Sequence, residues 1–395
     1  MSAIKEFVHR FIWRLLKSRF FNGIRPVVCH IPSFLIEGET RRGRRNLSII
    51  IFARIEVVEY FTKRIFADYP SINYLGRKTF QEIPKVITRY NPDVVIANAN
   101  DSFSEFFRSK LFFVSPLVDF TLDISDSWDA ILARTSRSKR KRIRRIQKLG
   151  YDFEVTNDLE RLKLFYQKMY VPRILKRHEK AARVVSFAEC ERLFRSGGLL
   201  LVKSKFGENI SGAIYVPRGD ELYIPTLGIS NVDQHLTEGG HAALYFLILW
   251  AKQQGFKIID YSICKPFLSD GIFRYKKEWG MKIKPYKGQD AEIYAIKFLN
   301  FKEGAREFLL NNPLIISNGD LKGLVLLDHS IQDLRSAYYT PGLSGLFVLS
   351  PIQGTSNPQL KRISLKNNKC EIAPTLRSFI SLAHENGYEV FLLDF

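Results

Sequence analysis

Cysteine is scarce in this 395-residue chain. The four that occur, Cys29, Cys190, Cys264 and Cys370, are scattered without the spacing of metal ligands. That argues for a reduced, cytoplasmic setting, and no metal is expected. Long apolar runs are also missing: none reaches the roughly 20 residues a membrane-spanning helix needs. The N-terminus is basic and apolar but lacks a clean apolar core with a small-residue cleavage site, so no secretory leader is expected. Several catalytic signatures are absent. There is no Gly-x-x-x-x-Gly-Lys-Ser/Thr loop, no Gly-x-Ser-x-Gly elbow and no His-Glu-x-x-His helix. Acidic residues are in deficit, with 40 Asp and Glu against 60 Lys and Arg.

The resulting net charge of +20 favours anionic partners. Nucleic acid, an anionic membrane surface, nucleotide-linked substrates and coenzyme A all qualify, and a basic solvated surface is the plain alternative. A hydrophobic content of 46% with 25% charged residues is that of a globular protein, with room for two or three domains.

The pattern along the chain is mixed. In residues 1–21, Phe7, Phe11, Ile12, Leu15 and Leu16 recur at helical spacing among basic residues. This is a basic amphipathic helix, expected either to pack on its own domain or to touch a membrane surface. From 46 to 100, apolar strands alternate with helices, which predicts a mixed α/β layer. Ser125-Asp126-Ser127 offers a helix cap before Trp128. Seven of the ten positions from Lys139 to Lys148 are basic, with Ile143, Ile146 and Leu149 as a narrow apolar stripe and Gly150 as a stop. This helix is expected either to contact phosphates or to remain a solvated face.

Three strands, Leu199–Lys205, Ile210–Pro217 and Glu221–Leu227, are predicted as an antiparallel meander. A Thr-Glu-Gly-Gly turn follows at 237–240, then a helix His241–Gln254, a Gly255 stop and a strand Lys257–Ser262 ending near Asp260. Beyond 290 the pattern weakens, although Thr375–Asn386 reads as a helix and Glu389–Phe395 as a final strand. There is no internal repeat in identity. The helix-Gly-strand pattern of the C-terminus does echo FLILWAKQQGFKIIDYS.

Three stretches carry a family resemblance. They are DFTLDISDSWDAILARTSRSKRKRIRRIQKLGYDFEV from Asp119, TEGGHAALYFLILWAKQQGFKIIDYS, and DGIFRYKKEWG. Their order and spacing from about 119 to 286 resemble the FemAB-like branch of the Gcn5-related N-acetyltransferase (GNAT) fold. The resemblance implies an α/β (α+β) fold with a GNAT-like mixed sheet flanked by helices, in two GNAT-like halves. The expected divisions are residues 1–30 as the basic helix, 31–118 as an N-terminal α/β domain, 119–290 as the acyltransferase domain, and 291–395 completing the N-terminal half.

The resemblance further implies acyl transfer from acyl-CoA as co-substrate to an amine or hydroxyl of a cell-envelope or polysaccharide precursor. An aminoacyl-tRNA donor of the FemX type remains open, as does a non-catalytic module binding RNA or anionic lipid. Thr237, Gly239, Gly240 and Ala242 align with the family's donor-phosphate turn, but Thr237 stands where acetyl-CoA enzymes usually carry Arg or Gln. Backbone N–H groups at the helix start remain available to a phosphate.

Acyl transfer needs a proton acceptor and stabilisation of a tetrahedral oxyanion. The resemblance places Lys276 at the oxyanion. Asp260, at a strand end, is a candidate for orienting or deprotonating the acceptor, or for satisfying loop amides. Tyr261, Tyr275 and Trp279 are candidates to line the acceptor site or to pack the core. Arg140, Arg142, Arg144 and Arg145 are candidates to hold an anionic substrate or tRNA. Glu238 and His241 flank the glycine turn, where His241 is expected as a cap or surface residue. Cys264 lies near the proposed cleft with no histidine partner marked.

Overall fold

The structure, a computed structural model, describes residues 30–98, 112–114, 117–178, 184–230, 238–286, 288, 294–317, 320–327, 333–351, 361–362 and 374–394. The helix expected at 1–21, together with Cys29, Thr237 and Cys370, lies outside the described residues.

The first part of the chain forms strands β1 (Ile31–Glu39) and β2 (Asn46–Phe52), helix α1 (Ile55–Ile65), β3 (Ser71–Lys78), α2 (Ile83–Tyr90), β4 (Val94–Asn98) and β5 (Phe112–Val114). In β2 the run Ile49–Phe52 is wholly buried, as the continuous apolar pattern requires. In α1 the buried residues Val57, Val58, Phe61 and Ile65 recur at helical spacing.

The middle part begins with β6 (Val118–Asp123), α3 (Trp128–Arg134), α4 (Arg137–Lys148) and β7 (Asp152–Thr156). The expected cap is present: the Ser127 hydroxyl accepts from the Ala130 N–H at 3.3 Å. Gly150 ends α4 with a left-handed φ of 66°. Then come α5 (Leu159–Phe165), a π-helical turn at Tyr166–Tyr170, α6 (Val171–His178) and α7 (Phe187–Arg195). The meander follows as β8 (Gly198–Lys203), β9 (Asn209–Arg218) and β10 (Glu221–Ile229). After it come α8 (Gly239–Gln253), β11 (Ile258–Cys264), α9 (Gly271–Glu278) and β12 (Lys282–Pro285). This is the element order anticipated for a GNAT-like core. The two glycines expected as a turn are instead the first two residues of α8.

The last part supplies β13 (Tyr294–Phe298), α10 (Glu303–Asn311), β14 (Leu314–Ser317), β15 (Leu321–Leu326), α11 (Leu334–Tyr338), β16 (Gly345–Pro351), β17 (Lys361–Arg362), α12 (Pro374–Glu385) and β18 (Tyr388–Asp394).

These strands make three sheets. The first is ordered β3-β1-β2-β4-β13-β5, the second β12-β6-β11-β10-β9-β8-β7, and the third β14-β15-β16-β18-β17. The C-terminal region thus sends β13 into the first sheet, while its final helix and strand belong to the third. A shared apolar core joins the first and third, with Phe301, Phe308, Phe379 and Val390 packed among Val58, Phe61 and Ile96. The loop after β11 is tied to the third sheet: the Leu268 N–H donates to the Pro313 carbonyl and the Ile315 N–H to the Pro266 carbonyl, both at 2.9 Å.

Helix α8 and helix α4 cover one face of the second sheet, where Ile143, Ile146, Leu244 and Leu247 join a core with Phe120 and Trp279. On the other face α5 and the π-helical turn lie against β10. Their approach depends on Gly228, where a Cβ would stand 2.7 Å from the Phe165 ring and 2.9 Å from the Tyr170 nitrogen. Gly228→Val should therefore displace the π-helical turn and destabilise the fold by about 2 kcal/mol. A thermal midpoint equal to that of the parent chain, read by circular dichroism, would contradict this packing.

Candidate functional site

Strands β10 and β11 run parallel but pair only through Glu221–Ile258, Leu222–Ile259 and Tyr223–Asp260. Beyond that point they part. The edge of β10 from Ile224 to Ile229 then lacks β11 as a ladder partner, although β9 still pairs its other edge. Strand β10 also shifts register against β9 between Tyr223 and Thr226, around Pro225, which has no N–H to offer a ladder. The result is an opening in the middle of the sheet.

Strand β11 is irregular at the same level. Its register with β6 shifts between Asp260 and Ile263, leaving Tyr261 and Ser262 outside that ladder. Ser262 has φ of 62°, in the left-handed region that a non-glycine residue seldom adopts. The backbone groups of this bulge must find other partners. The Ser262 N–H donates to Asp260 Oδ1 at 2.9 Å. The carbonyls of Tyr261, Ser262 and Ile263 accept from Lys276 Nζ at 2.8, 3.0 and 2.9 Å. Lys276 is 3% exposed. Burial pulls its ammonium down from the usual lysine range to about 8, against the pull of Cys264, Asp260, Asp119 and Asp270. In this arrangement all three ammonium protons are directed to backbone carbonyls. Of the two uses open to Asp260, the contact with a loop amide is the one seen. Its other oxygen lies 3.8 Å from Arg218 Nη1, and the Arg218 guanidinium rests 3.8 Å from the centre of the Tyr223 ring.

The N-terminus of α8 stands beside the opening. Gly239 is required by close packing, since a Cβ there would lie 2.7 Å from the Ile229 side chain at the end of β10. Helix α4 faces this terminus with Lys139, Arg142 and Arg145, spaced three apart on one side. Arg142 and Arg145 reach Glu238 Oε1 at 3.1 and 3.5 Å. Glu238 is 2% exposed, and its Oε2 has no hydrogen-bond partner among the described residues. Lys139 pairs with Glu278 at 2.9 Å and lies 4.6 Å over the Tyr275 ring.

His241 corrects its expectation as a surface or capping residue. It is buried, stacked on Tyr275 with ring centres 5.1 Å apart, and its Nδ1 is without a partner among the described residues. Burial, reinforced by Lys139, Arg142 and Arg173, depresses its pKa to about 3. The ring is therefore neutral at physiological pH, chiefly through its burial.

The remaining candidates divide. Tyr275 donates to the Gly240 carbonyl at 2.9 Å, and Tyr261 lies 6.4 Å from it in a stacked pair. Trp279 and Ala242 are buried in the core. Arg140 donates to the Leu132 carbonyl at 3.3 Å, whereas Arg144 is exposed on the outer side of α4. Burial raises the Cys264 thiol to about 12, so it is held protonated.

One group was missed in the sequence. Asp119 on β6 alternates with Thr121, which pairs with Asp260, which in turn pairs with Tyr223. The four therefore share one face of the sheet beside the opening. Burial first, and then Asp260, raise the Asp119 pKa. Only the strand register identifies it, because neither Asp of DFTLDIS is set apart by its neighbours in the sequence.

A scan against family models found no match, and a search of curated proteins found none. Solved structures similar to the chain include L-PGS from Bacillus licheniformis, 15% identical over 67% of this chain and 84% of that one, with a TM-score of 0.35. FemX is 12% identical over 71% and 91%, with a TM-score of 0.37. A tandem GNAT protein from the clavulanic acid pathway is 11% identical over 67% and 82%, with a TM-score of 0.27. Likeness at this level carries no inference about activity.

Two outcomes follow from the geometry. Lys276→Ala should lower stability and increase amide exchange in 258–264, and methylammonium should restore part of both by filling the vacated site. Exchange unchanged from the parent would show that the carbonyl contacts do not hold β11. For His241, the unfolded chain binds a proton between pH 6.5 and about 3 that the folded chain does not. Stability should therefore fall as pH drops through that window, by roughly 2 kcal/mol at pH 5. His241→Asn should flatten this dependence in denaturant titrations.

Proposed function

We propose that the chain is an acyltransferase that moves an acetyl or aminoacyl group from a phosphate-bearing donor to an amine or hydroxyl of a cell-envelope precursor. The observation that carries this reading is the parting of β10 from β11 with a cationic helix N-terminus at its mouth. Donor phosphates would lie against the first turn of α8, where the helix dipole and the side chains of Arg142 and Arg145 favour an anion. The acyl carbonyl would enter the opening, where the free edge of β10 offers backbone N–H groups to its oxygen.

The acceptor would approach from the face that carries Asp119, Asp260 and Tyr223. Its nitrogen or oxygen attacks the carbonyl carbon and a tetrahedral oxyanion forms. The bond to the donor's sulfur or ribose oxygen then breaks. The acceptor's proton would pass to Asp119, whose raised pKa suits a proton acceptor better than an ordinary surface carboxylate. The leaving group takes up a proton in turn. Lys276 would act on the oxyanion only if it left the carbonyls of β11.

An acyl-CoA thioester and an aminoacyl-tRNA both present phosphates and an activated carbonyl. The exposed side of α4, with Lys141, Arg144 and Lys148, favours the larger polyanion. The neighbours of Glu238 bear on the choice too, since this carboxylate already neutralises part of the site. Transfer assays with each donor, run on the parent and on Arg142→Gln/Arg145→Gln, test the reading. The double variant should raise donor KM by about a hundredfold, at roughly 1.5 kcal/mol for each of the two lost charge-assisted contacts, with little change in kcat. Asp119→Asn should lower kcat and remove the acid limb of the pH profile. An absence of transfer from either donor, with no thermal stabilisation by millimolar acetyl-CoA, would overturn the acyl-CoA form of the proposal.

A further inference from the structure

At the other end of α9 lies a cavity of about 230 Å³ between the first and second sheets. It is lined by Arg41 and Arg42 from the β1–β2 turn, Arg64 from the last turn of α1, Ser269 and Gly271 at the start of α9, and Asn311. We propose that this cavity is a phosphate-binding site, distinct from the N-terminus of α8, and that it holds the phosphate group of a phosphorylated ligand.

The charges in the lining support an anion. Two acidic side chains are present, but their oxygens are engaged. Asp270 Oδ1 accepts from the Ile272 and Phe273 N–H groups at 2.9 and 3.3 Å, and Oδ2 lies 3.5 Å from Arg64 Nη1. Glu307 accepts from the Thr40 hydroxyl at 2.5 Å, from the Gly43 N–H, and from Asn311 at 3.2 Å. Three guanidinium groups face these two carboxylates, leaving one positive charge in excess. Each guanidinium has five N–H donors, and only part of that capacity is used. Arg41 donates to the Lys63 carbonyl at 3.0 Å and Arg42 to Asn311 at 3.2 Å.

Arg64 is the most informative of the three. It is stacked 3.6 Å from the Phe267 ring centre, which fixes the plane of its fork, and its Nε is buried with no partner among the described residues. Burial lowers its pKa, against the pull of Tyr60 and Asp270. The backbone adds room rather than bulk: a Cβ on Gly271 would meet nothing within 4 Å. A planar guanidinium fork suits the oxygens of a phosphate, with space for them beside Gly271, while the next N–H groups of α9 are taken by Asp270. The volume exceeds that of one phosphate, so a phosphorylated sugar or a diphosphate fits better than a bare ion.

The site also reaches the opening. Asp270, which holds Arg64, caps the helix that carries Tyr275 and Lys276, and Lys276 lies five helical steps beyond Gly271, a rise of about 7.5 Å. If the reading under Proposed function is right, a phosphorylated acceptor could be anchored here.

Calorimetric titration with inorganic phosphate, pyrophosphate and a uridine-diphosphate sugar tests the proposal without any activity assay. Exposed Arg41 and Arg42 give a variant, Arg41→Gln/Arg42→Gln, that leaves the buried packing intact, and Arg142→Gln/Arg145→Gln serves as the control at α8. Binding weakened at least tenfold in the first variant and retained in the second is the expected result. Tighter binding of the nucleotide sugar than of free phosphate would assign the phosphate to an acceptor, and the reverse order to a free anion. Equal affinity in the parent and Arg41→Gln/Arg42→Gln, or no binding at millimolar ligand, would overturn the site. Loss only in the control would place the phosphate at α8 instead.

Discussion

The second sheet is organised around one unsatisfied stretch of backbone. When β11 leaves β10 after Asp260 and slips register against β6, the carbonyls of Tyr261, Ser262 and Ile263 and the Ser262 N–H turn to side chains, and Ser262 turns left-handed. Asp260 takes the N–H and Lys276 takes the carbonyls. A buried ammonium is costly to desolvate, and three unpaired carbonyls would be costly as well. Each cancels much of the other's penalty. An acid from the strand and a base from the following helix thus satisfy the irregular backbone of β11, which forms one edge of the opening. The two residues expected to do chemistry are first of all the supports of the space in which chemistry could happen.

The second organising factor is charge around the start of α8. Helix α4 brings three cations to a turn in which the backbone already carries a partial positive charge. Glu238 and Glu278 offset part of this, and His241 is kept neutral first by its burial and then by the nearby Lys139, Arg142 and Arg173. Excess charge in this sequence is thus not spread evenly as a solvated coat. One side of the basic helix is committed to ion pairs with Glu238 and Glu278, with Lys139 buried and Arg145 still exposed, and the other side faces solvent.

Much of the fold was legible because its signals are local. The meander, the glycine stops at 150 and 255, the Ser127 cap and the amphipathic pattern of α1 each depend on a few adjacent residues. The helix at Gly271–Glu278 was less visible, since DGIFRYKKEWG is short and basic and its start rests on one Asx cap. The third sheet was largely unread, because its strands Leu314–Ser317, Leu321–Leu326 and Gly345–Pro351 are short apolar runs without alternation. Such runs do not reveal which sheet they join.

The sequence by itself determined the mixed α/β class, most of the order of elements from Asp119 to Ser262 and the basic character of α4. Periodicity and turn chemistry act over a few residues and need no partner. Only the tertiary structure decided what the polar residues are for. It turned Lys276 toward three carbonyls, buried His241 under Tyr275, set Asp119 in line with Asp260, and enclosed Arg64 beside Asp270. These are contacts between residues far apart in the chain. Which of a lysine's or an aspartate's possible partners it meets is settled by strand register and helix packing, and a linear pattern carries no record of either.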